Sequence, residues 1–294
     1  MGIDEEKPLV SIVFPVKNEG ENIKNTINSL YKTKTDYPYE IIVVDDNSED
    51  GCCDYLIQSQ DKKIKLVHAN NAGAALARNI GGEQATGEYV IFCDAHLFFE
   101  DYWMDRLLEP LRAGIADAIN PGIASADSPN KVGYGYTWNE NLDPKWNIGK
   151  RGLFASPLIA SGCLAMSKKV FDDIEGYERG FRVWGRNDDD ISLKLWLFGY
   201  KCFVLPEVKI RHIFRKKSPF KFTWNDVNYN FMRMAYSHFN EERIEKCKKL
   251  IKHSNAVKIV EEVLKSDVLE QRERYLKKRK YDDDWYMKRF NVQF

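Results

Sequence analysis

Two uninterrupted apolar runs, residues 9–16 (LVSIVFPV) and 40–44 (EIIVV), constrain this chain more than any other feature. Runs this rich in β-branched residues, with little alternation, belong to strands buried on both faces, and such burial marks a parallel sheet. Between them Ile23, Ile27, Leu30 and Tyr31 fall on one helical face. Strand, helix, strand is the opening unit of a doubly wound α/β sheet, because parallel neighbours need a crossover. The alternation continues with a strand over 64–67, a small-residue helix over 72–85 ahead of Gly87, and a strand over 89–93. A helix carrying Trp103, Leu107, Leu108 and Leu111 follows.

Alternation of this kind runs to about residue 125. The stretch 127–157, with Gly133, Gly135, Trp138, Pro144 and Trp146, predicts long loops or a short β insertion. Such stretches inside a compact domain often carry function. A strand over 158–166, a helix over 188–198 closed by Gly199, and strands over 202–205 and 208–211 complete the sheet. Beyond Trp224 the pattern is helical and highly charged. The expected fold is α/β, a Rossmann-like, mostly parallel sheet with flanking helices and a C-terminal helical appendage.

Composition excludes several classes. Lys and Arg number 44 and Asp and Glu 44, so no global field marks a nucleic-acid partner. No run approaches the ~20 apolar residues of a membrane span. Residues 1–8 are charged and hold no apolar signal core. The six cysteines show no CxxC pair, and Cys93 and Cys202 sit in strand-like runs where a buried free thiol is expected. A reduced, cytoplasmic protein is the expectation. The C-terminal helices are candidates for homodimer contact, or for peripheral membrane contact through the basic run 277–280.

The candidate chemistry lies at strand ends. Asp45 and Asp46 end the second strand and Asp94 ends the one over 89–93, where open α/β sheets bind ligands. Asp46 is also a candidate helix cap. In Asp94-Ala95-His96 a carboxylate and an imidazole two residues apart point the same way. Mixed oxygen and nitrogen ligation suits Mn²⁺ or a similar divalent ion able to bridge a diphosphate, whereas Mg²⁺ prefers oxygen alone. His212 is the candidate third ligand. It opens a basic, aromatic segment in which Arg215 and Lys216 would offset a diphosphate leaving group. The run Trp184-Gly185-Arg186-Asn187-Asp188-Asp189-Asp190 puts three acids in the first turn of a helix. Those acids favour the helix dipole by themselves. Asp188, nearest the loop, is the candidate base for an acceptor hydroxyl or thiol.

Taken together, Pro15-Val16-Lys17-Asn18-Glu19, Val44-Asp45-Asp46, Asp94-Ala95-His96, Trp184-Gly185 and the segment from His212 to Pro219 resemble the GT-A glycosyltransferases of family 2. They are most similar to the catalytic domain of polypeptide N-acetylgalactosaminyltransferases, in matching order from about residue 9 to 240. The resemblance implies a UDP-sugar donor, with Asp46 on the uracil and Pro15 and Val16 lining the base beside Glu19. Arg78 would approach the donor, and Asp94, His96 and His212 would hold the metal. Arg215 would neutralise the diphosphate and Trp184 would flank the sugar. It also implies a catalytic domain over 1–240, with a nucleotide-binding half to about 125 and an acceptor half over about 126–224, and a helical region over 241–294.

The pattern departs from that family at Asn187, where the polypeptide transferases have Glu, and at Phe220, where they have Tyr. Neither their lectin domain nor their membrane anchor is expected in these 294 residues. The run 184–191 is similar instead to the Trp-Gly-Gly-Glu-Asp-Asp-Asp-Ile run of β-1,4-galactosyltransferases, where the Asp matching Asp188 is the base of an inverting reaction. The polypeptide transferases retain. With Asp188 present and the Glu missing, inversion is the expectation, onto a peptide, protein or cell-surface glycan acceptor, with the segment 215–220 closing as a lid. A retaining enzyme is the alternative. A nucleotidyltransferase would carry a glycine-rich basic phosphate loop, which residues 14–19 lack, and a non-catalytic binding module would not need Asp94, His96, His212 and Asp188 together.

Overall fold

The computed structural model describes residues 7–294. The chain opens with β1 (Val10–Val16), α1 (Asn22–Lys32), β2 (Tyr39–Asp45), the single turn α2 (Asp54–Ile57), β3 (Ile64–His68) and α3 (Gly73–Gln84). Next come β4 (Tyr89–Cys93), β5 (Leu97–Phe98), α4 (Trp103–Arg112) and β6 (Ala118–Ser125). Four short strands follow, β7 (Val132–Gly133), β8 (Tyr136–Trp138), β9 (Pro144–Trp146) and β10 (Phe154–Ala155), so the expected insertion is a set of small β pairs. Then come β11 (Cys163–Ser167), α5 (Lys168–Asp173), α6 (Asn187–Phe198) and β12 (Cys202–His212). The chain closes with α7 (Trp224–His238), α8 (Glu241–Leu250), α9 (Ala256–Leu264), α10 (Val268–Lys278) and α11 (Asp283–Phe290).

The main sheet has the order β10-β12-β6-β11-β4-β1-β2-β3. Its β3-β2-β1-β4 half is parallel throughout, while β11 lies antiparallel between β4 and β6. Successive residues of β1 feed opposite faces, as the pleat requires. Ile12 and Phe14 pack with Ile23, Ile27 and Leu30 of α1 and with Leu107 and Leu108 of α4. Val13 packs on the other face, in the core that holds α3, α6 and the C-terminal helices, including Ile259, Val263, Tyr275 and Tyr286. Tyr31, expected on the α1 face, is 39% exposed, because it lies one residue beyond Leu30 and turns past the edge of the apolar stripe.

Two strands differ from expectation. The strand over 158–166 shrinks to Cys163–Ser167, because the backbone of the preceding residues is committed elsewhere. Ile159 N–H donates to Ser192 Oγ, Ser161 N–H to Asp188, and the Gly162 carbonyl accepts from Asp94 N–H. The separate strands over 202–205 and 208–211 are one strand, whose register against β6 shifts between Leu205 and Lys209. Pro206 lies in that interval and has no N–H to give, so the ladder skips rather than stops.

Candidate active site

The carboxyl ends of β1, β2, β4 and β12 meet the N-terminal turn of α6 around a cavity of about 710 Å³. Pro15, Val16, Glu19, Asp46, Arg78, Asp94, His96, Trp184, Asp188, His212 and Arg215 all line it. Lys216 does not; it is exposed, and the neighbouring Lys217 lines the cavity in its place.

Asp94 and His96 leave the end of β4, and His212 ends β12. One ligand atom from each lies within 4.8 Å of the other two. The two imidazole Nε2 atoms face each other at 3.2 Å, and His212 Nε2 is 3.3 Å from Asp94 Oδ2. Two ring nitrogens aimed at one another beside a carboxylate form a donor set that a single divalent cation satisfies, so the residues present fit the expected ion. Burial works against an ionised Asp94, but the His212 contact and the Arg78 and His96 charges outweigh it and hold the carboxyl below the usual range. Burial also holds the His96 imidazole below its ordinary value.

The surrounding shell is specific. Arg78, on α3, donates to Asp94 Oδ1 at 2.7 Å and to the Ala74 carbonyl at 3.0 Å. Glu19 is buried with its carboxylate 3.2 Å from His96 Nδ1 and paired with Arg215. A carboxylate behind a ligating imidazole sets its tautomer and raises its basicity. The structure thus puts Glu19 behind the ligand set and ties Arg215 to it. Asp46 accepts from the backbone N–H of Ala72 at 2.5 Å and Gly73 at 2.9 Å, tying the end of β2 to the start of α3.

The three acids of α6 part company. Asp189 accepts from the Trp138 indole and lies 3.7 Å from Arg186. Asp190 is buried against His238 at 2.9 Å and Lys194 at 3.8 Å. Asp188 takes the Ser161 N–H at 3.0 Å and otherwise faces the cavity. Burial pushes its pKa up to about 6, against the lowering influence of Ser161 and Arg78. The turn into α6 is strained: Val183 has φ 29° and Arg186 φ 65°, both in the left-handed range that a β-branched residue in particular avoids. Trp184 lies between them, its ring 5.0 Å from that of Phe222.

Several participants carry no sequence signal of their own. Gly162 packs so closely that an added Cβ would lie 3.1 Å from Asp94 Oδ2, yet its run reads as plain strand. Tyr136 and Trp146 line the cavity from the β insertion, with ring centroids 4.0 Å apart. Their inward placement depends on pairing between β8 and β9, a long-range contact that spacing does not reveal.

Comparison with known proteins gives the chain relatives in both sequence and fold. The model of glycosyl transferase family 2 matches residues 11–175, and that of the N-terminal domain of galactosyltransferase matches residues 152–217. Polypeptide N-acetylgalactosaminyltransferase 11 of Xenopus tropicalis is 31% identical over 264 residues, which cover 80% of this chain and 43% of that protein. Polypeptide N-acetylgalactosaminyltransferase 3 of Mus musculus is 29% identical over 244 residues, covering 73% of this chain and 38% of the relative. The chain spans about two fifths of the length of the curated relatives it matches. The crystal structure of GalNAc-T7 with UDP, GalNAc and Mn²⁺ superposes with a TM-score of 0.75 at 21% identity, covering 98% of this chain and 57% of that one. S. aureus TarS 1–349 in complex with UDP-GlcNAc gives 0.60 at 17% identity, covering 81% and 70%. The fold is therefore that of the GT-A enzymes, and the chain belongs to glycosyl transferase family 2.

Proposed function

We propose that this chain transfers a sugar from a UDP-sugar to an acceptor hydroxyl with inversion, Asp188 serving as base. The observation that carries the reading is the convergence of Asp94, His96 and His212 in the same cavity as Asp188, whose carboxyl, alone among the α6 acids, has no side-chain cation within ion-pair distance among the described residues. The nucleotide would lie over the half of the chain up to about residue 125, with Pro15 and Val16 against the base and Asp46 near the uracil. The acceptor would lie over about 126–224, with the C-terminal helices from 241 behind.

A divalent ion of the Mn²⁺ type, held by Asp94, His96 and His212, would offset the charge that develops on the leaving diphosphate. The chain's own groups do the rest. Asp188 accepts the acceptor proton as the acceptor oxygen bonds to the anomeric carbon. The bond from that carbon to the β-phosphate oxygen breaks, and UDP leaves with the electron pair. Arg215 adds positive charge beside the diphosphate, and Trp184 walls the sugar. A carboxyl with a pKa near 6 is a base matched to neutral pH. The acceptor class that best fits is a peptide, protein or glycan, since the relatives named above are polypeptide transferases. That same kinship supports a retaining outcome as the second reading.

The test is hydrolysis of a panel of UDP-sugars with Mn²⁺ and no acceptor, in wild type and His212→Ala. UDP release from one donor, abolished by chelator and by the substitution, supports the reading and names the sugar. No release, together with no Mn²⁺-dependent UDP binding by calorimetry, sinks it. The anomeric configuration of the product by proton NMR then decides between inversion and retention.

A further inference from the structure

We infer that the rim of this cavity docks on an anionic lipid bilayer. The net charge of the chain is zero, yet three segments carry cations and no acid: 144–152 and 211–225, which both contribute to the cavity lining, and 246–260, which lies beside the second. Ring contacts join them into one ridge: Trp146 meets Phe214 at 6.4 Å and Trp224 meets His253 at 5.6 Å, while Trp184, on the cavity wall, meets Phe222 at 5.0 Å.

Along that ridge Arg215, Lys246 and Lys248 are paired with acids, and six other cations have no such partner among the described residues. Lys145, Lys216, Lys217, Lys221, Lys252 and Lys258 are exposed, and among the described residues none lies within ion-pair distance of a carboxylate. Lys217 and Lys221 line the cavity, but the others do not, so a bound diphosphate does not account for them. The basic run at 277–280 is a weaker candidate, since Lys278 is engaged by Asp173 and Arg279 by the His238 carbonyl and Asp283.

Apolar tips stand among these charges. Ile148 is 75% exposed, Val257 69%, Trp224 57% and Phe214 48%. A hydrated polyanion would bind the lysines and leave those tips in water. A bilayer takes both: headgroups meet the lysines, the indole settles at the interface, and the aliphatic tips enter the acyl boundary. Because Phe214 and Trp184 also line the cavity, the mouth would face the membrane and take an acceptor displayed there. This inference concerns the surface and stands whether or not the chemistry proposed above is right.

The test is co-sedimentation of the full chain with vesicles of phosphatidylcholine alone, or with about one third phosphatidylglycerol, at about 0.1 M salt. The expected result is partition onto the anionic vesicles only, weakened by salt. Lys252→Glu with Lys258→Glu should lower it about tenfold or more. Ile148→Asp with Val257→Asp should do the same. Leu269→Asp with Leu276→Asp, exposed on α10, should leave it unchanged; circular dichroism would verify that each variant folds. Absence of partition overturns the inference. So does partition that survives Ile148→Asp with Val257→Asp and is displaced by inorganic polyphosphate at equal charge, which would identify a reader of soluble polyanions.

Discussion

Replacing Asp188 by Asn should produce a protein that is nearly inactive and more stable than the original. Asp188 accepts the Ser161 N–H at 3.0 Å, a bond the Asn carbonyl oxygen keeps, so the turn into α6 should hold. Burial raises the carboxyl from 3.8 to about 6. Between roughly pH 4 and pH 6 the folded state therefore binds more protons than the unfolded chain. Stability falls as pH rises through that window and stays at the lower level above it. A shift of about two units corresponds to about 3 kcal/mol, and partial exposure of the side chain trims this to about 1–3 kcal/mol. Asn carries no charge to bury. The variant should gain that amount at about pH 7.5, a rise in Tm of roughly 2–8 °C, and gain nothing below about pH 4. Transfer should fall about 10²–10⁴-fold with UDP affinity nearly unchanged. Calorimetric melts at the two pH values and a UDP-release assay with acceptor measure both effects. Unimpaired transfer would remove Asp188 from the base role. Loss of stability at about pH 7.5 would refute the burial argument.

Three further outcomes are expected. In wild type, kcat/KM for transfer should rise with pH along a single-proton limb centred near 6, because the base must be ionised, and level off above; a profile flat from about pH 5 to 8 would contradict it. Glu19→Gln removes the carboxylate behind His96 and leaves Arg215 without its partner, so Mn²⁺ affinity measured by titration calorimetry should fall about 10–100-fold while the fold persists. Gly162→Ala puts a methyl 3.1 Å from Asp94 Oδ2, and should weaken Mn²⁺ binding about tenfold with less than about 2 kcal/mol lost in denaturant melts.

The parallel half of the sheet was legible because its strands are buried on both faces and say so in unbroken apolar runs. Asp94, His96 and His212 were legible because period-two spacing at a strand end, or a basic aromatic context, marked each of them. Among Asp188, Asp189 and Asp190, which share one helical turn, nearness to the loop singled out Asp188, but the sequence held no sign of what the other two do: Trp138, some fifty residues earlier, reaches Asp189, and His238, from α7, reaches Asp190. Glu19 was placed beside the donor base by the resemblance alone, yet its partners His96 and Arg215 come from the segments after β4 and after β12. The turn at 159–162 was hidden for the opposite reason: its sequence is a good strand, and side chains at the site outbid the ladder for its backbone.

One seam joins two sides of the cavity. The Ala74 N–H bonds the Val183 carbonyl at 2.8 Å, and Gly73, at φ +81°, sits so near that a Cβ would fall 3.0 Å from the same oxygen. Helix α3 and the strained approach to α6 are thereby riveted together, with Asp46 bonded to the same turn through the Ala72 and Gly73 N–H groups. Residues 213–223, on the opposite side, are held by the Ile213 N–H to the His96 carbonyl at 3.2 Å, by the Arg215–Glu19 pair, and by the Asn18 amide to the Pro219 carbonyl at 3.3 Å, so that wall hangs on side chains and single bonds and not on a sheet ladder.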